Sequence, residues 1–473
     1  MKPDDSPVSF LDSPPMFEVT TDVLVIGAGA CGLIAALTAQ EHGATVIVLE
    51  RDSVPAGSTS LSSGMIPACK TRLQADAGVD DSVERLSADI MAKNHDGANP
   101  TVVRAICREV GPTVDWLVDK HDIPLRLVDG FLYPGHTVRR MHAPPGRTGA
   151  ELIGALTTAA ARAVIDIITD ARVDQIIAAQ DGTVAGVRFQ RPDGQLEELG
   201  CRALILACSG FGGNAAMVAE HLPEMAEALY FGHTGNQGDA VRWGMALGAA
   251  TGDMTAYQGH GSVAIPHGAL ITWALMMEGA IQVNSHGERF SDEHGGYSEQ
   301  AVHVLAQADG IAWNIFDTRL DRLGRNFDDY RAAADAGAVL WASTLDDLVA
   351  ATGLPAGPLS VTLDQAARCA IGAETDPFGR DFTKAPPLEP PYCAIRVTGA
   401  LFHTQGGLEI DGSARVLRPD GGALPNLLAG GGAARGISGA HVWGYLSGNG
   451  LLAATALGRI AGREAAALAK RQN

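Results

Sequence analysis

Apolar residues cluster in short runs punctuated by glycine near the start of the chain. The run at 22–26 (DVLVI) has strand length. Apolar positions 33, 34 and 37 then recur at helical spacing, Gly43 supplies a stop, and a second apolar run covers 45–49. The pattern predicts strand–helix–strand, a βαβ unit. Further on, ALILACSGFGGN (203–214) reads as a strand ending in a Gly-rich turn. Residues 313–355 carry amphipathic helical periodicity and are expected to cover an exterior. FTKAPPLEPPYCAI (382–395) is Pro-rich and suits a hinge or crossover. WGYLSGNGLLAATALGRIAG (443–462) is an Ala/Leu-rich helix entered through a glycine loop, with Tyr445 at the entrance. There are no internal repeats and no low-complexity tract.

A length of 473 residues is too great for one ordinary core and implies two or three structural units. The 57 glycines show no collagen period, so they point to tight turns and close backbone approaches to a ligand. A net charge of −19 argues against nucleic acid or an anionic membrane surface as partner. No apolar run is long enough to span a bilayer, and the first 19 residues lack an export signal and read as a short polar lead. The seven cysteines form no CxxC or CxxCH pair. This argues against a zinc site, an iron–sulfur cluster or attached haem, and fits a reducing cytoplasm. The expectation is therefore cytoplasmic, without metal.

Gly27, Gly29 and Gly32 complete a GxGxxG between the first strand and helix, and Glu50 closes the second strand. Gly27 permits the tight turn, Gly29 lets a pyrophosphate approach the backbone, and Gly32 lets helix and strand pack. The helix N-terminus stabilises phosphate charge, and Glu50 can accept ribose hydroxyl bonds. Ala30, Cys31 and Arg51 flank these positions. A second Gly/Ser/Thr loop, AGSTSLSSGMIPA (56–68), directly follows the second strand. An NAD domain would continue there as helix, so this loop points to FAD, with Gly57, Ser58, Thr59, Ser60, Ser63 and Gly64 as candidate contacts.

With these motifs in order, the chain resembles flavoproteins of the fumarate reductase/succinate dehydrogenase type, including the 3-ketosteroid dehydrogenases, from about residue 20 to about 465. The segment 203–214 looks like the family's returning FAD strand, TGNQGDAVRWGMALGA (234–249) like its TGxG-D-A helix entrance, and VNSHGERFSDE (283–293) like the capping G-x-R-F-x-x-E. FHTQGGLEID (402–411) looks like H-T-x-G-G-L, and LLAGGGAARGISG with the C-terminal helix like the last FAD strand and helix. The resemblance adds Val173, Ala207, Cys208, Ser209, Gly210, Asn214, Gly235, Asp239, Gly431, Gly448, Asn449, Gly450 and Leu451 to the FAD contacts. Members with covalent FAD carry a His in the loop corresponding to 56–60; here it reads AGSTS, which implies noncovalent FAD. The implied fold is α/β: a discontinuous Rossmann-type FAD-binding domain, about 18–255 plus 388–473, with an inserted α+β capping domain at 256–387.

The resemblance also implies site residues. Fumarate reductases hold a dicarboxylate with histidines at the positions of His260 and His403 and with two arginines, one an acid catalyst at the position of Arg289. This chain keeps those three but has Trp273 and Met276 at the proton-relay positions and Tyr445 where the second arginine belongs. A tyrosine cannot form a bidentate carboxylate clamp. Ketosteroid dehydrogenases place a Tyr on this loop to bind the substrate ketone with a backbone N–H. The Tyr-x-Ser of one type reads Tyr445-Leu-Ser447 here, and Tyr297 is the candidate for their cap tyrosine.

The implied activity is desaturation α,β to a carbonyl, or the reverse reduction, on a cyclic ketone or ketosteroid-like small molecule. In it Tyr445 and Gly448 bind the carbonyl, Tyr297 or Ser447 exchanges the α-proton, and His403 orients the substrate. The rivals are an enoate or dicarboxylate reductase using Arg289 with Arg435 or His260, and a non-catalytic flavin carrier. Several residues carry two readings: Arg289 as acid or as partner of Asp292 or Glu293, and His260 as substrate contact or core. Tyr133, His136 and His142 read as entrance or surface loop, Trp273/Met276/Met277 as core or pocket wall, and Arg435 as carboxylate anchor or FAD-adjacent. The electron donor or acceptor is unassigned.

Overall fold

The computed structural model describes residues 6–12, 15–129 and 132–471. The apolar run at 22–26 becomes the strand Thr20–Ile26, buried from Val23 onward, at the centre of a nine-stranded sheet. Five strands run parallel there: Asp166–Ile168, Val46–Leu49, Thr20–Ile26, the end of Leu196–Leu206, and Ala423–Ala429. Continuous apolar runs suit them because both faces of a parallel sheet are covered. Antiparallel strands Arg172–Ala179 and Val184–Gln190 extend the sheet beside the start of Leu196–Leu206. The N-terminal segment is more than a polar lead: Val8–Leu11 pairs in parallel with Arg172–Ala179 at the sheet edge.

The helix Ala30–Glu41 is buried at every position from Ala30 to Ala39 because it is covered on both sides. One cover is the C-terminal helix Asn449–Arg471. Their approach is set by small residues: a Cβ added at Gly458 would stand 2.6 Å from the Cys31 carbonyl oxygen, and one at Gly462 would stand 2.3 Å from that of Ala35. The contact brings the N-termini of both helices to one place.

A seven-stranded sheet forms the second layer, built on the 13-residue strand Tyr392–Thr404. It pairs with Tyr257–Ala264, Ile311–Asp317, Leu340–Ala342 and, in parallel, Leu229–Tyr230. The Pro-rich segment before it therefore leads into the second sheet, and the chain returns to the first only at Arg415–Leu417 and Ala423–Ala429. Residues 313–355 are not purely exterior helix. They begin in the strand Ile311–Asp317, and Phe327 and Tyr330, at the helix Asp328–Asp335, are buried. The amphipathic period suits the helix Asp328–Asp335, but its apolar face turns inward, where Phe327 and Tyr330 line a cavity. No helix of the described residues is long and apolar enough to cross a membrane.

The helix contact makes a prediction. Gly462→Leu drives a side chain into the Ala35 carbonyl, so overpacking should cost about 1–3 kcal/mol. Gly357 in the helix Ala356–Ala370 is exposed, with nothing within 4 Å of its added Cβ. Gly357→Ala should stabilise by about 0.5–1 kcal/mol. Thermal unfolding of both variants checks the contrast.

Candidate active site

A cavity of about 270 Å³ lies between the two sheets, against about 10 Å³ for either of two smaller clefts. One wall carries the dinucleotide motif. Gly27 has φ of 102°, and a Cβ there would meet the Ala207 carbonyl oxygen at 2.6 Å. A Cβ on Gly32 would meet the Gly27 carbonyl oxygen at 1.9 Å, so strand and helix can pack only through glycine. At Gly29 the nearest atom to an added Cβ is Thr59 Oγ1 at 3.5 Å, which leaves the approach to the helix N-terminus open to a phosphate. Glu50 lines the same wall at 5% exposure and accepts from Ala28 N at 2.8 Å and Asp52 N at 3.1 Å. Its remaining lone pairs can accept ribose hydroxyls. Thr59 Oγ1 accepts from Ala30 N at 3.0 Å, and Arg51 Nη1 donates to the Gly235 carbonyl at 2.6 Å. These contacts tie the second loop to the first helix and the 234–249 segment to Arg51 just after the second strand, and the wall fits a flavin dinucleotide.

Of the residues assigned to the cofactor, Gly27, Gly29, Ala30, Cys31, Glu50, Arg51, Gly57, Ser58, Thr59, Ser63, Val173, Ala207, Cys208, Ser209, Gly235, Asp239, Gly431, Gly448, Gly450 and Leu451 line the cavity. Gly32, Ser60, Gly64, Gly210, Asn214 and Asn449 do not. They lie behind the wall. Gly210 faces Thr404 Oγ1, Gly64 faces the Thr148 carbonyl, and Asn214 caps the helix Ala215–His221 through Met217 N.

The opposite wall is largely aromatic, and the two histidines within it are neutral. His260 stacks on Tyr297, with centroids 4.9 Å apart and planes 25° apart, and meets Trp273 edge-on at 5.6 Å. Tyr297 and His403 each meet Tyr445 edge-on, at 6.1 and 5.7 Å. Burial pushes the His260 imidazolium down to about 3 and that of His403 to about 4, so both rings are neutral at ordinary pH. Burial raises the Tyr445 hydroxyl to about 12, although the Gly450 N–H, Tyr297 and the Gly448 N–H each favour its anion. Burial, followed by the neighbouring Tyr445, also pushes the Tyr297 hydroxyl well above its ordinary value, against hydrogen bonds from Ser447 and Gly448 N–H. Gly450 N donates to Tyr445 Oη at 3.3 Å. The structure thus gathers Tyr445, Ser447, Tyr297, His403, His260 and Gly448 around one cavity.

Arg289 is not brought there. Its guanidinium donates to Glu293 Oε1 at 2.9 Å and Oε2 at 2.7 Å, pairs with Asp376, and lies over the Phe382 ring at 4.7 Å. Asp292 is not its partner; it accepts from His294 N instead. Arg435 is likewise committed, to Asp253 and Glu409, both at 2.7 Å, so neither arginine is free to clamp a substrate carboxylate. Met276 belongs to the core, whereas Trp273 is both core and cavity wall.

His136 and His142 are neither surface nor entrance, at 5% and 0% exposure. His142 bonds Thr71 Oγ1 at 2.8 Å. Arg140 is fully buried between Asp81 and Asp89, and its Nη1 donates to His136 Nδ1 at 3.2 Å. That leaves the proton on His136 Nε2, which donates to the Ser447 carbonyl at 2.9 Å. A buried ion-pair cluster thereby holds the loop that carries Tyr445 and Ser447.

Two residues that sequence reasoning missed act through His403. Asn449 Nδ2 donates to Ser438 Oγ at 3.2 Å, Ser438 Oγ to Gln405 Oε1 at 2.8 Å, and Gln405 Nε2 to His403 Nδ1 at 3.0 Å. The Thr404 carbonyl stands 3.3 Å from Nδ1, a longer contact to the adjacent residue. The shorter amide donor makes Nδ1 an acceptor, so Nε2 carries the proton beside the Gly450 backbone. The available signal was the i, i+2 spacing of His403 and Gln405 in FHTQGG.

Replacing that amide should show. In Gln405→Glu the carboxylate only accepts, so His403 must protonate Nδ1 and its titration should rise from about 4 toward the neutral range. Flavin reduction should then acquire a pH dependence between about pH 5 and 8 that the parent lacks. A ¹⁵N spectrum showing Nδ1–H at His403 in the parent would disprove the ordering. Acid stability gives a second measurement. His136, His142 and His403 titrate at about 4 when folded and His260 at about 3, against 6.5 unfolded. The unfolded chain therefore binds these protons first. Stability is complete above pH 6.5 and falls as pH drops toward 4, by about 2 kcal/mol per histidine at pH 5. Urea unfolding at pH 7.5 and 5 measures it.

Residues 22–451 match the family described as FAD binding domain. The NADH:fumarate oxidoreductase of Klebsiella pneumoniae (strain 342) is 29% identical over 456 residues, covering 95% of this chain and 48% of that protein. The chain thus spans about half the length of that relative. A flavocytochrome c3 fumarate reductase in its open conformation superposes with a TM-score of 0.80 at 29% identity, over 96% of this chain and 79% of the other. The 3-ketosteroid Δ4-(5α)-dehydrogenase of Rhodococcus jostii RHA1, in complex with 4-androstene-3,17-dione, gives 0.76 at 25% identity, over 97% and 99%. The chain belongs to this FAD-binding family of oxidoreductases acting on CH–CH groups, alongside fumarate reductases and 3-ketosteroid dehydrogenases.

Proposed function

We propose that this enzyme desaturates, or in reverse reduces, the carbon–carbon bond α,β to the carbonyl of a cyclic ketone or ketosteroid-like molecule. The observation that carries the reading is Tyr445 at the mouth of the C-terminal helix. Its oxygen accepts from Gly450 N–H, so its proton is free to point at a substrate carbonyl. The wall around it is aromatic and its histidines are neutral, which suits an uncharged ring better than a dicarboxylate. The neighbour in complex with 4-androstene-3,17-dione supports the same choice.

FAD, bound noncovalently along the glycine wall, supplies the hydride acceptor or donor. Tyr445 Oη–H and the Gly448 N–H bind the carbonyl oxygen and stabilise the enolate charge that develops as the α-proton leaves. In the reductive direction Tyr297 Oη–H gives its proton to the α-carbon and Ser447 stabilises the tyrosinate left behind; desaturation is the reverse step, with the tyrosinate taking the α-proton. His403 Nε2–H donates toward the substrate oxygen, and His260 with Trp273 closes the ring face against water. Residues 18–255 and 388–473 would form the cofactor domain and 256–387 the cap, with Tyr392–Thr404 running between them.

A dicarboxylate or enoate substrate is the second reading, favoured by the fumarate named for two of the similar proteins. Anaerobic titration of the oxidised enzyme with cyclic ketones, 3-ketosteroids, succinate and fumarate, followed by flavin bleaching, separates the two. Tyr445→Phe should keep its FAD and lower the limiting rate of flavin reduction by roughly 10²–10³-fold, the usual effect of losing one oxyanion donor. Bleaching by succinate but not by ketones, or full activity in Tyr445→Phe, contradicts the reading.

A further inference from the structure

Three arginines line the cavity: Arg51 donates to the Gly235 carbonyl and Arg172 to Gln190 Oε1, whereas the Arg147 guanidinium has neither a hydrogen-bond acceptor nor an ionic partner among the described residues. Arg147 lines the cavity in the turn Pro144–Arg147, held by Arg147 N donating to the Pro144 carbonyl at 3.0 Å, with φ of 54°. Its guanidinium stands over the Phe327 ring at 5.2 Å and lies near enough to Tyr133 to favour that residue's anion. Among the described residues the guanidinium forms no salt bridge and donates no hydrogen bond, and only the backbone N–H of Arg147 is bonded. Arg289, Arg380 and Arg435 are each paired with carboxylates. Asp329, also on this wall, is not its counter-ion: burial alone pushes that carboxyl up.

Arg147 also stands on the substrate side. Phe327 belongs to the second layer and Tyr133 is coupled to Tyr297, whereas Arg51, the cation among the cofactor contacts, bonds Gly235. A left-handed backbone at a non-glycine residue costs free energy and recurs at ligand-binding positions. A half-buried, unpaired guanidinium against an aromatic face is poised to take a carboxylate with two parallel N–H bonds.

We propose that Arg147 anchors a carboxylate at the end of the substrate away from the reacting carbonyl, so that the substrate class is an oxo-carboxylic acid. The proposal rests on the ketone reading above and deepens it. Tyr445 and Gly448 hold the ketone oxygen, Arg147 holds the anion, and the aromatic wall holds the apolar body between them.

The test uses two acid–ester pairs with the FAD-loaded enzyme: 3-oxocyclohexanecarboxylate and its methyl ester, and 3-oxo-4-androstene-17β-carboxylate and its methyl ester. In the parent at least one acid should have a KM roughly 10- to 100-fold below its ester, the range of one charge-assisted bond pair. Arg147→Gln should erase that preference by raising the KM of the acid toward that of its ester, and Arg147→Lys should restore part of it. Equal KM for acid and ester in the parent, or a preference that survives in Arg147→Gln, overturns the anchor. Cyclohexanecarboxylate, which has no ketone to react, provides a separate binding readout through the flavin spectrum. A spectral shift lost in Arg147→Gln while no ketone bleaches the flavin keeps the anchor and sinks the ketone reading. Ketones that bleach with no acid preference do the opposite.

Discussion

Everything at the site depends on one backbone contact. Gly458 and Gly462 of the C-terminal helix lie against the carbonyls of Cys31 and Ala35 in the first helix. Helices normally pack 8–10 Å apart, and only glycine permits a closer approach. The two N-termini consequently open on the same cavity. One presents the GxGxxG turn, and the other presents Gly448, Gly450 and the Tyr445 hydroxyl bonded to Gly450 N–H. A single cavity therefore has two ends at which backbone N–H groups favour developing negative charge.

The second layer completes the site from the other side through a strand rather than a loop. Tyr392–Thr404 is the spine of the seven-stranded sheet, and its end delivers Phe402 and His403 to the cavity. Because that strand is paired over most of its length, His403 has little freedom, and Gln405, Ser438 and Asn449 set which of its nitrogens carries the proton. On the far side of the Tyr445 loop, Arg140 and its two aspartates do the same for His136. A buried ion-pair cluster is weak evidence for stability, and its role here is orientation.

Charge is distributed with the same selectivity. Arg289, Arg380, Glu293 and Asp376 neutralise one another inside the second layer, away from the cavity. His260 and His403, the histidines of the aromatic wall, are held neutral by burial. What remains on the substrate wall is hydroxyl and imidazole hydrogen bonding, aromatic surface, the guanidinium of Arg147 and the carboxyl of Asp329.

The sequence by itself determined the βαβ unit, the GxGxxG geometry, FAD rather than NAD, and the gathering point of Tyr445, Ser447, Tyr297, His260 and His403. The first three rest on local rules, namely strand length, helical period, a glycine where a Cβ has no room, and loop order, whereas the gathering point came from the resemblance to fumarate reductases and 3-ketosteroid dehydrogenases. Only the tertiary structure decided what each polar side chain meets. It removed Arg289 and Arg435 from the site by pairing them with Glu293, Asp376, Asp253 and Glu409, all but Glu293 distant in sequence. It turned His136 and His142 from loop residues into buried ones, and drew Phe327 and Tyr330 inward from a segment whose period alone suggested an exterior. The physical reason is that an arginine's role depends on its nearest carboxylate, and a histidine's charge on how deeply it is buried. Neither is written in the spacing of the chain.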